Sequence, residues 1–154
     1  MAEIQVRGLA ELDAYLKGFS AQLEAKILRG AMRAGCNEYL KLARMKVPVA
    51  DGDLKKSLRI STRLKQGKAS ATLIAGNKVA FYAHMVEFGT AQHFIRPSKK
   101  KSLFLAGIFR EVIDHPGASQ HPFMRPAFDE GTPAAIEAAR VYIARRIEKE
   151  MKRK

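Results

Sequence analysis

The side chains best suited to chemistry are histidines and one acid near the middle of the chain. His84 and Glu87 are three residues apart, a spacing that puts two side chains on one face of a helix, and His93 follows. Imidazole and carboxylate groups so placed bind zinc and activate water, so one hypothesis is a small metal-dependent hydrolase. Such a spacing also arises by chance, in which case His84 lies on a polar face while His93 and His121 lie in loops. We therefore predict no metal site.

Glu87 also has a structural interpretation, since it lies between the apolar residues Val86 and Phe88. A catalytic carboxylate needs a second acid or a histidine nearby. A structural carboxylate instead pairs with an arginine or accepts hydrogen bonds from backbone N–H groups. In a basic chain we favour the structural role, with Arg125 or nearby backbone groups as donors.

Other sequence motifs of enzymes and nucleotide-binding proteins are absent. The chain has no glycine-rich phosphate-binding pattern and no serine nucleophile elbow. We predict that the protein is not an enzyme and holds no cofactor.

Positive charge is concentrated in the middle of the chain. Of 28 Lys and Arg against 15 Asp and Glu, residues 51–101 carry 11 basic and 3 acidic groups. Such a surface attracts phosphates or acidic proteins. No aromatic residues interleave with the lysines, as stacking on single strands would require. A nucleic-acid-binding protein is the alternative function. The candidate interface or DNA-facing residues are Arg59, Arg63, Lys65, Lys68, Arg96, Lys99, Lys100 and Lys101.

Hydrophobic periodicity predicts a single α+β domain over residues 1–154. A long N-terminal helix and a C-terminal helix pack on a mostly antiparallel β-sheet. The first helix follows a short strand or extended arm at residues 3–7. It bends or breaks between Gly30 and Gly35 and ends at Val47-Pro48. One apolar stripe of this helix consists of Leu9, Leu12, Leu16, Phe19, Leu23 and Ile27. Residues 58–64 and 69–75 alternate and form a hairpin around Gln66-Gly67-Lys68.

The second half of the chain is predicted to hold a basic loop at about 91–120, which the family resemblance described below implies to be variable. Within it, residues 103–114 are predicted to form one strand with a kink at Gly107, or two strands. The last helix starts with Thr132 as N-cap and Pro133 at its first position. Its apolar face is Ile136, Ala139, Ile143, Ile147 and Met151.

Smaller features complete these expectations. Cys36 is the only cysteine and lies on an apolar stripe, which favours a small buried hydrophobic residue over a reactive thiol. Asp51 or Asp53 caps a short helical turn through Ser57. The chain lacks the layout of a signal peptide and has no apolar run long enough for a membrane span, so we expect a soluble protein. The aromatic residues Phe81, Tyr82, Phe88, Phe123 and Phe128 are expected to form one cluster.

Three segments together resemble the head–tail joining, or tail-component, family of long-tailed phages. They are residues 43–58, 82–90 and 122–127, in that order, and the resemblance covers nearly the whole chain. Arg44 and the pair Ala50-Asp51 depart from the family pattern. The residues that carry it, which we predict to be structural, are Pro48, Gly52, Leu54, Ser57, Tyr82, Glu87, Phe88, Gly89, Thr90, Pro122, Phe123, Arg125 and Pro126.

The resemblance implies a structural virion protein at the phage neck. It implies a ring of identical subunits, six in number, that completes the tail and joins it to the DNA-filled head. The implied partners are tail-tube and head-connector proteins, with non-specific contact to DNA in the channel and none to a membrane. The implied location is the virion, after assembly in the host cytoplasm. The hairpin 58–75 and the loop 91–102 are the expected contact surfaces.

Overall fold

The computed structural model describes residues 21–97, 102–105 and 107–152, and these form an α+β fold. The predicted fold class is therefore confirmed. Its helices are α1 (Ala21–Lys46), α2 (Asp53–Ser57), α3 (Ala83–Phe88) and α4 (Met124–Met151). Its strands are β1 (Arg59–Lys65), β2 (Lys68–Ile74), β3 (His93–Ile95), β4 (Leu103–Leu105), β5 (Ile108–Arg110) and β6 (Ile113–His115). The strand at residues 3–7 and the stripe from Leu9 to Phe19 lie outside the described residues.

The long helices α1 and α4 run antiparallel and approach each other closely through small residues. A Cβ atom on Gly35 would lie 2.8 Å from the backbone oxygen of Ala135, and one on Gly30 would collide with the ring of Tyr142. The expected break between Gly30 and Gly35 is wrong, because α1 continues through both. Each glycine weakens an isolated helix by about 1 kcal/mol, but here both allow the partner helix to come close.

Helix α4 begins eight residues before the predicted start at Thr132. Its first residue is Met124, so Pro133 lies inside the helix. The Thr132 hydroxyl does not cap a helix; it donates to the Phe128 carbonyl oxygen at 2.8 Å. A proline in a helix interior usually breaks it, so the earlier start needs a stabilising contact, which comes from Glu87.

The predicted apolar face of α4 is also partly wrong. Ile136 and Met151 are exposed, whereas the buried residues of this helix are Ala127, Gly131 and Ala135. These small side chains face α1, and the lysine and glutamate pair Lys46–Glu130 closes the edge of the contact at 2.7 Å. Close helix packing therefore selects small residues rather than large ones.

Strands β1 and β2 form the predicted hairpin. They pair from Arg59↔Ile74 to Lys65↔Lys68, and the two turn residues, Gln66 and Gly67, both have positive φ. Burial alternates along both strands, and the less exposed face packs on α1. Alternating side chains fix this register, since a slip of one residue would turn the apolar set outward.

The short helix α2 does not use the predicted aspartate cap. Gly52 occupies the N-cap position with φ 79°, and no side chain bonds there. The Ser57 hydroxyl instead donates to the Leu54 carbonyl oxygen at 2.6 Å and accepts from the Gly76 N–H at 2.9 Å. Ser57 thus ties α2 to the end of β2.

The described residues 91–97, 102–105 and 107–117 form an extension that we call the arm. Strand β3 pairs with β6, and β4 pairs with β5, so the arm is two successive antiparallel ladders. The isolated bridge Thr90↔Ala118 closes its base. Both forms predicted for residues 103–114, one strand with a kink at Gly107 or two strands, are wrong, because Gly107 lies in the turn between β4 and β5 and β6 is a third strand. The described strands of the arm contact mainly one another.

The core lies where α1, α2, α3 and the start of α4 meet. Its buried members are Ala43, Val47, Leu54, Leu58, Ala80, Ala83, Phe123 and Ala127. The single aromatic cluster that the sequence suggested is wrong. Phe123 is fully buried, with Tyr82 packed against this core, whereas Phe81 and Phe88 are exposed and Phe128 stacks on Tyr39. Among the described helices, none combines the length and apolar character needed to cross a membrane.

Candidate functional site

The best-defined polar site is the Glu87 carboxylate against the first turn of α4. Its Oε2 accepts the N–H of Phe123 at 2.7 Å and that of Met124 at 2.9 Å. Its Oε1 accepts the N–H of Arg125 at 3.0 Å. The next residue is Pro126, which has no N–H group to satisfy. One side chain and one proline therefore account for every free donor at the start of the helix. The predicted hydrogen bonding of Glu87 by backbone donors is confirmed.

Burial and hydrogen bonding act in opposite directions on this carboxyl, which is only 8% exposed. Burial by itself raises the pKa of Glu87, but the N–H groups of Met124, Phe123 and Arg125 and the charge of Arg125 outweigh it and hold that pKa below its ordinary value of 4.5. The positive end of the α4 dipole favours the same charged form. Glu87 is thus an ionised cap.

Residues on either side of Glu87 continue this contact between distant segments. The His121 N–H donates to the Val86 carbonyl oxygen at 2.8 Å. Gly89 has φ 72° and ψ −177°, a conformation essentially limited to glycine, and a Cβ there would lie 2.7 Å from the Ala118 oxygen. Thr90 pairs with Ala118 in both directions. The second segment is therefore held by backbone bonds to residues 118–121, just before the third segment, and by the Glu87 side chain to the third segment itself.

The first segment reaches the same core through different residues. Leu54 is buried beside Leu58 and Phe123. Ser57 is also buried, and its hydroxyl makes the two hydrogen bonds described above. Gly52 provides the turn, while Pro48 and Pro122 lie at exposed positions and Pro126 is half-buried. The structure thus brings all three segments together, and Phe88 is a large apolar member whose side chain is exposed.

The basic residues of the hairpin share its outer face. Arg59, Arg63, Lys65 and Lys68 are all exposed, and strands β1 and β2 contain no acidic residue. Arg59 also has a local role, since it donates to the Gly76 carbonyl oxygen at 2.5 Å. Arg96 is exposed on the arm, while Lys99, Lys100 and Lys101 lie outside the described residues.

An apolar groove of about 820 Å³ opens between α1, β2, α3 and α4. Its walls include Met32, Cys36, Tyr39, Phe88, Phe128 and Ile136. Cys36 is buried there as predicted, and its burial raises the pKa of the thiol. The groove itself was not predicted. In the sequence, only the apolar stripe on which Cys36 lies, which also contains Tyr39, indicates one wall of the groove. The other walls come from distant parts of the chain.

A comparison of the chain with protein families finds one match. The family model described as "Bacteriophage HK97-gp10, putative tail-component" matches residues 10–89, just over half of the chain. The chain belongs to this family of phage tail components. Neither a curated protein nor a solved structure shows significant similarity to this chain.

The matched range of the tail component contains the first segment and the second as far as Gly89, where it ends. The third segment lies beyond it, but Phe123 and the cap on α4 complete the core that the first two segments build. Glu87 therefore connects the matched part of the tail component to the C-terminal helix.

The histidines of the tail component do not gather around Glu87. His84 Nδ1 lies 3.1 Å from the Phe81 carbonyl oxygen, and His93 Nδ1 lies 2.9 Å from that of Ala91. The His93 ring pairs with His115 across the arm, at 5.0 Å between ring centres. Within the described ranges, no three histidine, cysteine or acidic side chains are placed to share a metal ion. The arrangement proposed for a hydrolase is therefore not formed by these residues.

Proposed function

We propose that this tail component forms a ring of identical subunits, six in number, at the end of the phage tail. The ring completes the tail and joins it to the DNA-filled head. Membership of the phage tail-component family is the observation that carries this proposal. Rings require two different surfaces that meet between neighbouring subunits.

The exposed apolar surface of the chain supports assembly with other proteins. Many large hydrophobic side chains of the described residues are exposed, among them Phe88, Phe104, Phe109, Phe128 and Ile136. Single exposed apolar residues are ordinary, but several around one groove and on one arm are typical of interaction sites. A virion component buries such surfaces against its neighbours.

We also propose that the protein works without catalysis. Glu87, the buried acid of the central segment, already accepts three backbone hydrogen bonds. A carboxylate engaged in this way caps a helix and has little capacity left to act as a base. Its arrangement supports a structural role for the central segment.

The proposed partners follow from the position in the particle. The ring contacts tail-tube and head-connector proteins, and its location is the virion after assembly in the host cytoplasm. The exposed basic face of the hairpin supports contact either with DNA in the channel or with acidic neighbours.

Blocking this gene in the phage that carries it, followed by electron microscopy of the lysate, tests the proposal. We expect filled heads beside unattached tails, or tails of irregular length. Intact infectious particles in normal numbers would contradict it. Complementation with the wild-type gene, which should restore joined particles, is the control.

Nucleic-acid binding is a second candidate because four cations share the outer face of a hairpin that has no acidic residue. A protein that neutralises several phosphates loses affinity steeply as salt rises. Binding to duplex DNA at micromolar concentration or better, with a steep salt dependence, would favour this candidate. Absence of binding at low salt would remove it.

A further inference from the structure

The outer ladder of the arm presents aromatic side chains that the rest of the described chain leaves uncovered. Phe104 on β4 and Phe109 on β5 are directly opposed, with ring centres 5.0 Å apart. Their exposed fractions are 65% and 71%, and the neighbouring Ile108 is exposed as well. An isolated two-stranded hairpin is marginally stable in water. An arm of this kind gains stability when a second surface covers its aromatic pair.

The apolar groove has the complementary character. It is concave and lined mainly by apolar side chains, and three of its walls, Phe88, Phe128 and Ile136, are themselves exposed. The polar residues of its lining are Tyr39, Thr72, His84, Glu87 and Arg125. Its volume of about 820 Å³ is that of a site that encloses a substantial ligand. No described residue of the arm lines it, so the arm of the same chain does not fill it in this structure.

Convex and concave apolar surfaces on one chain favour a particular kind of assembly. Two copies that each used the same patch would pair by a two-fold axis. A projecting arm and a receiving groove are different patches, so their contact leaves a free arm at one end and a free groove at the other. Repeated contacts of this kind close into a ring when the rotation allows it.

We propose that the Phe104–Phe109 pair of one subunit inserts into the groove between α1, β2, α3 and α4 of the next subunit. This inference rests on the proposed ring and names the contact that builds it. Each aromatic side chain buries about 150–250 Å² when it is covered. Because Phe104 and Phe109 are 65% and 71% exposed, the pair supplies roughly a third of the 800 Å² or so that each partner contributes to a stable interface.

Side chains on either side of the aromatic pair are suited to supply part of the remaining interface area. Phe94 and Val112, at either side of the inner ladder, are exposed apolar residues. Glu111, an exposed acid just after β5, has the opposite charge to Arg125, whose exposed side chain lines the groove. The contact thus has an aromatic centre and a charged edge, which is the usual anatomy of a specific interface.

Cross-linking between the arm and the groove tests the contact in assembled tails. In a Cys36→Ala background, Ser102→Cys places a thiol two residues before Phe104, on the same side of the extended chain as the aromatic pair, and Ile136→Cys places one on the groove. Phage carrying both changes are grown, and their tails are treated with a short bis-maleimide. We expect a ladder of covalent oligomers that extends to the size of the ring, because every subunit joins the next.

A matched control replaces the groove position with Val49→Cys. Val49 is as exposed as Ile136, at 61% against 65%, but it lies on neither the arm nor the groove. This control should give no ladder. A within-chain product from the first pair would mean that the arm covers its own groove. A product with another tail protein would mean that a different partner fills it. Either result would overturn the inference.

Substitution of the aromatic pair gives an independent readout. Phe104→Ser with Phe109→Ser should reduce incorporation into tails by about tenfold or more, since truncating a central aromatic anchor has a large effect on binding. The melting temperature of the purified protein should stay near that of the wild type. Phe81→Ser, at a residue 67% exposed outside both surfaces, should leave incorporation unchanged. Equal incorporation of all three proteins would contradict the inference.

The two proposals fail in distinguishable ways. If the protein is present as rings on tails but neither the ladder nor the aromatic effect appears, the ring proposal stands and the arm contact is wrong. If the protein is absent from tails, the ring proposal is wrong. Cross-linking of the concentrated purified protein then decides the arm contact by itself.

Discussion

At the scale of single residues, Glu87 decides where the C-terminal helix begins. It lies 36 residues before the first N–H group that it accepts. Helix caps are usually found next to the helix in sequence, where serine, threonine, aspartate or asparagine satisfies the first turn. Here the cap comes from another helix, so it joins two segments of the tail component at the same time.

Glu87→Gln should lower the free energy of unfolding by about 1–3 kcal/mol, because the neutral amide turns a donor group toward backbone donors. Chemical denaturation followed by circular dichroism measures this. Glu137→Gln is the control, since Glu137 lies on the exposed face of α4 and pairs with Arg140 one turn away. A loss of stability as small as that of the control would contradict the capping role.

The same carboxylate predicts a pH dependence. Because the folded protein lowers the pKa of Glu87, its contribution to stability is fully present above the ordinary value of 4.5 and is lost as the pH falls through the folded pKa. The difference in melting temperature between wild type and Glu87→Gln should therefore be constant near neutral pH and shrink below about 4.5. A difference that grew on acidification would mean that the pKa is raised instead.

At the scale of elements, the contact between α1 and α4 depends on small residues rather than on large apolar ones. Gly35 and Ala135 meet at a distance that leaves no room for an added methyl group against a backbone oxygen. Gly30 differs because the group opposite it is the far end of the Tyr142 side chain, which can turn away. Substitution of these two glycines is therefore expected to change the stability of the protein by different amounts.

Gly35→Ala should destabilise the protein by about 1–3 kcal/mol, because overpacking forces the backbones of two helices apart. Intrinsic helix propensity by itself would predict a gain of about 1 kcal/mol. Gly30→Ala is the matched control and should cost less, since a side chain moves more easily than a backbone. Thermal melts of both variants measure the difference, and a stabilised Gly35→Ala would show that the helices are less closely packed.

At the scale of the whole molecule, apolar and charged surfaces serve different contacts. The arm and the groove are apolar, while the outer face of the β1–β2 hairpin is basic. Apolar burial withstands added salt, whereas attraction between exposed charges is screened over a few ångströms at high ionic strength. Salt therefore separates self-association of the tail component from its binding to anionic partners.

Replacement of three hairpin cations by serine should weaken binding to duplex DNA and reduce its salt slope by about 2–3. The changes are Arg63→Ser, Lys65→Ser and Lys68→Ser. The matched control removes the same charge from cations that already pair with acids on the helices, by Lys41→Ser, Arg140→Ser and Lys152→Ser. Fluorescence anisotropy at several salt concentrations measures both proteins. Equal weakening would mean that net charge, not the hairpin face, governs binding.

Several local features of this protein could be predicted from the sequence alone. The alternation of residues 58–64 and 69–75 around Gln66-Gly67-Lys68 predicts a hairpin, because side chains on a strand alternate and short glycine-containing turns join paired strands. The structure shortens the turn to Gln66 and Gly67 and pairs Lys65 with Lys68. Val47-Pro48 predicts the end of α1, because the residue before proline avoids helical angles. Three short segments, taken together and in order, are enough to indicate the family.

Tertiary structure decided what depends on residues far apart in the chain. Local propensity predicts that α4 starts at Thr132. The helix starts at Met124 instead, because Glu87 accepts hydrogen bonds from backbone N–H groups that would otherwise have no partner. Hydrophobic periodicity predicts that Ile136 is buried in the core. The close approach of α4 to α1 instead favours small residues at the contact, and Ile136 lies on the groove. Burial and hydrogen bonding are set by the partner that a residue meets, and a single sequence does not state which partner that is.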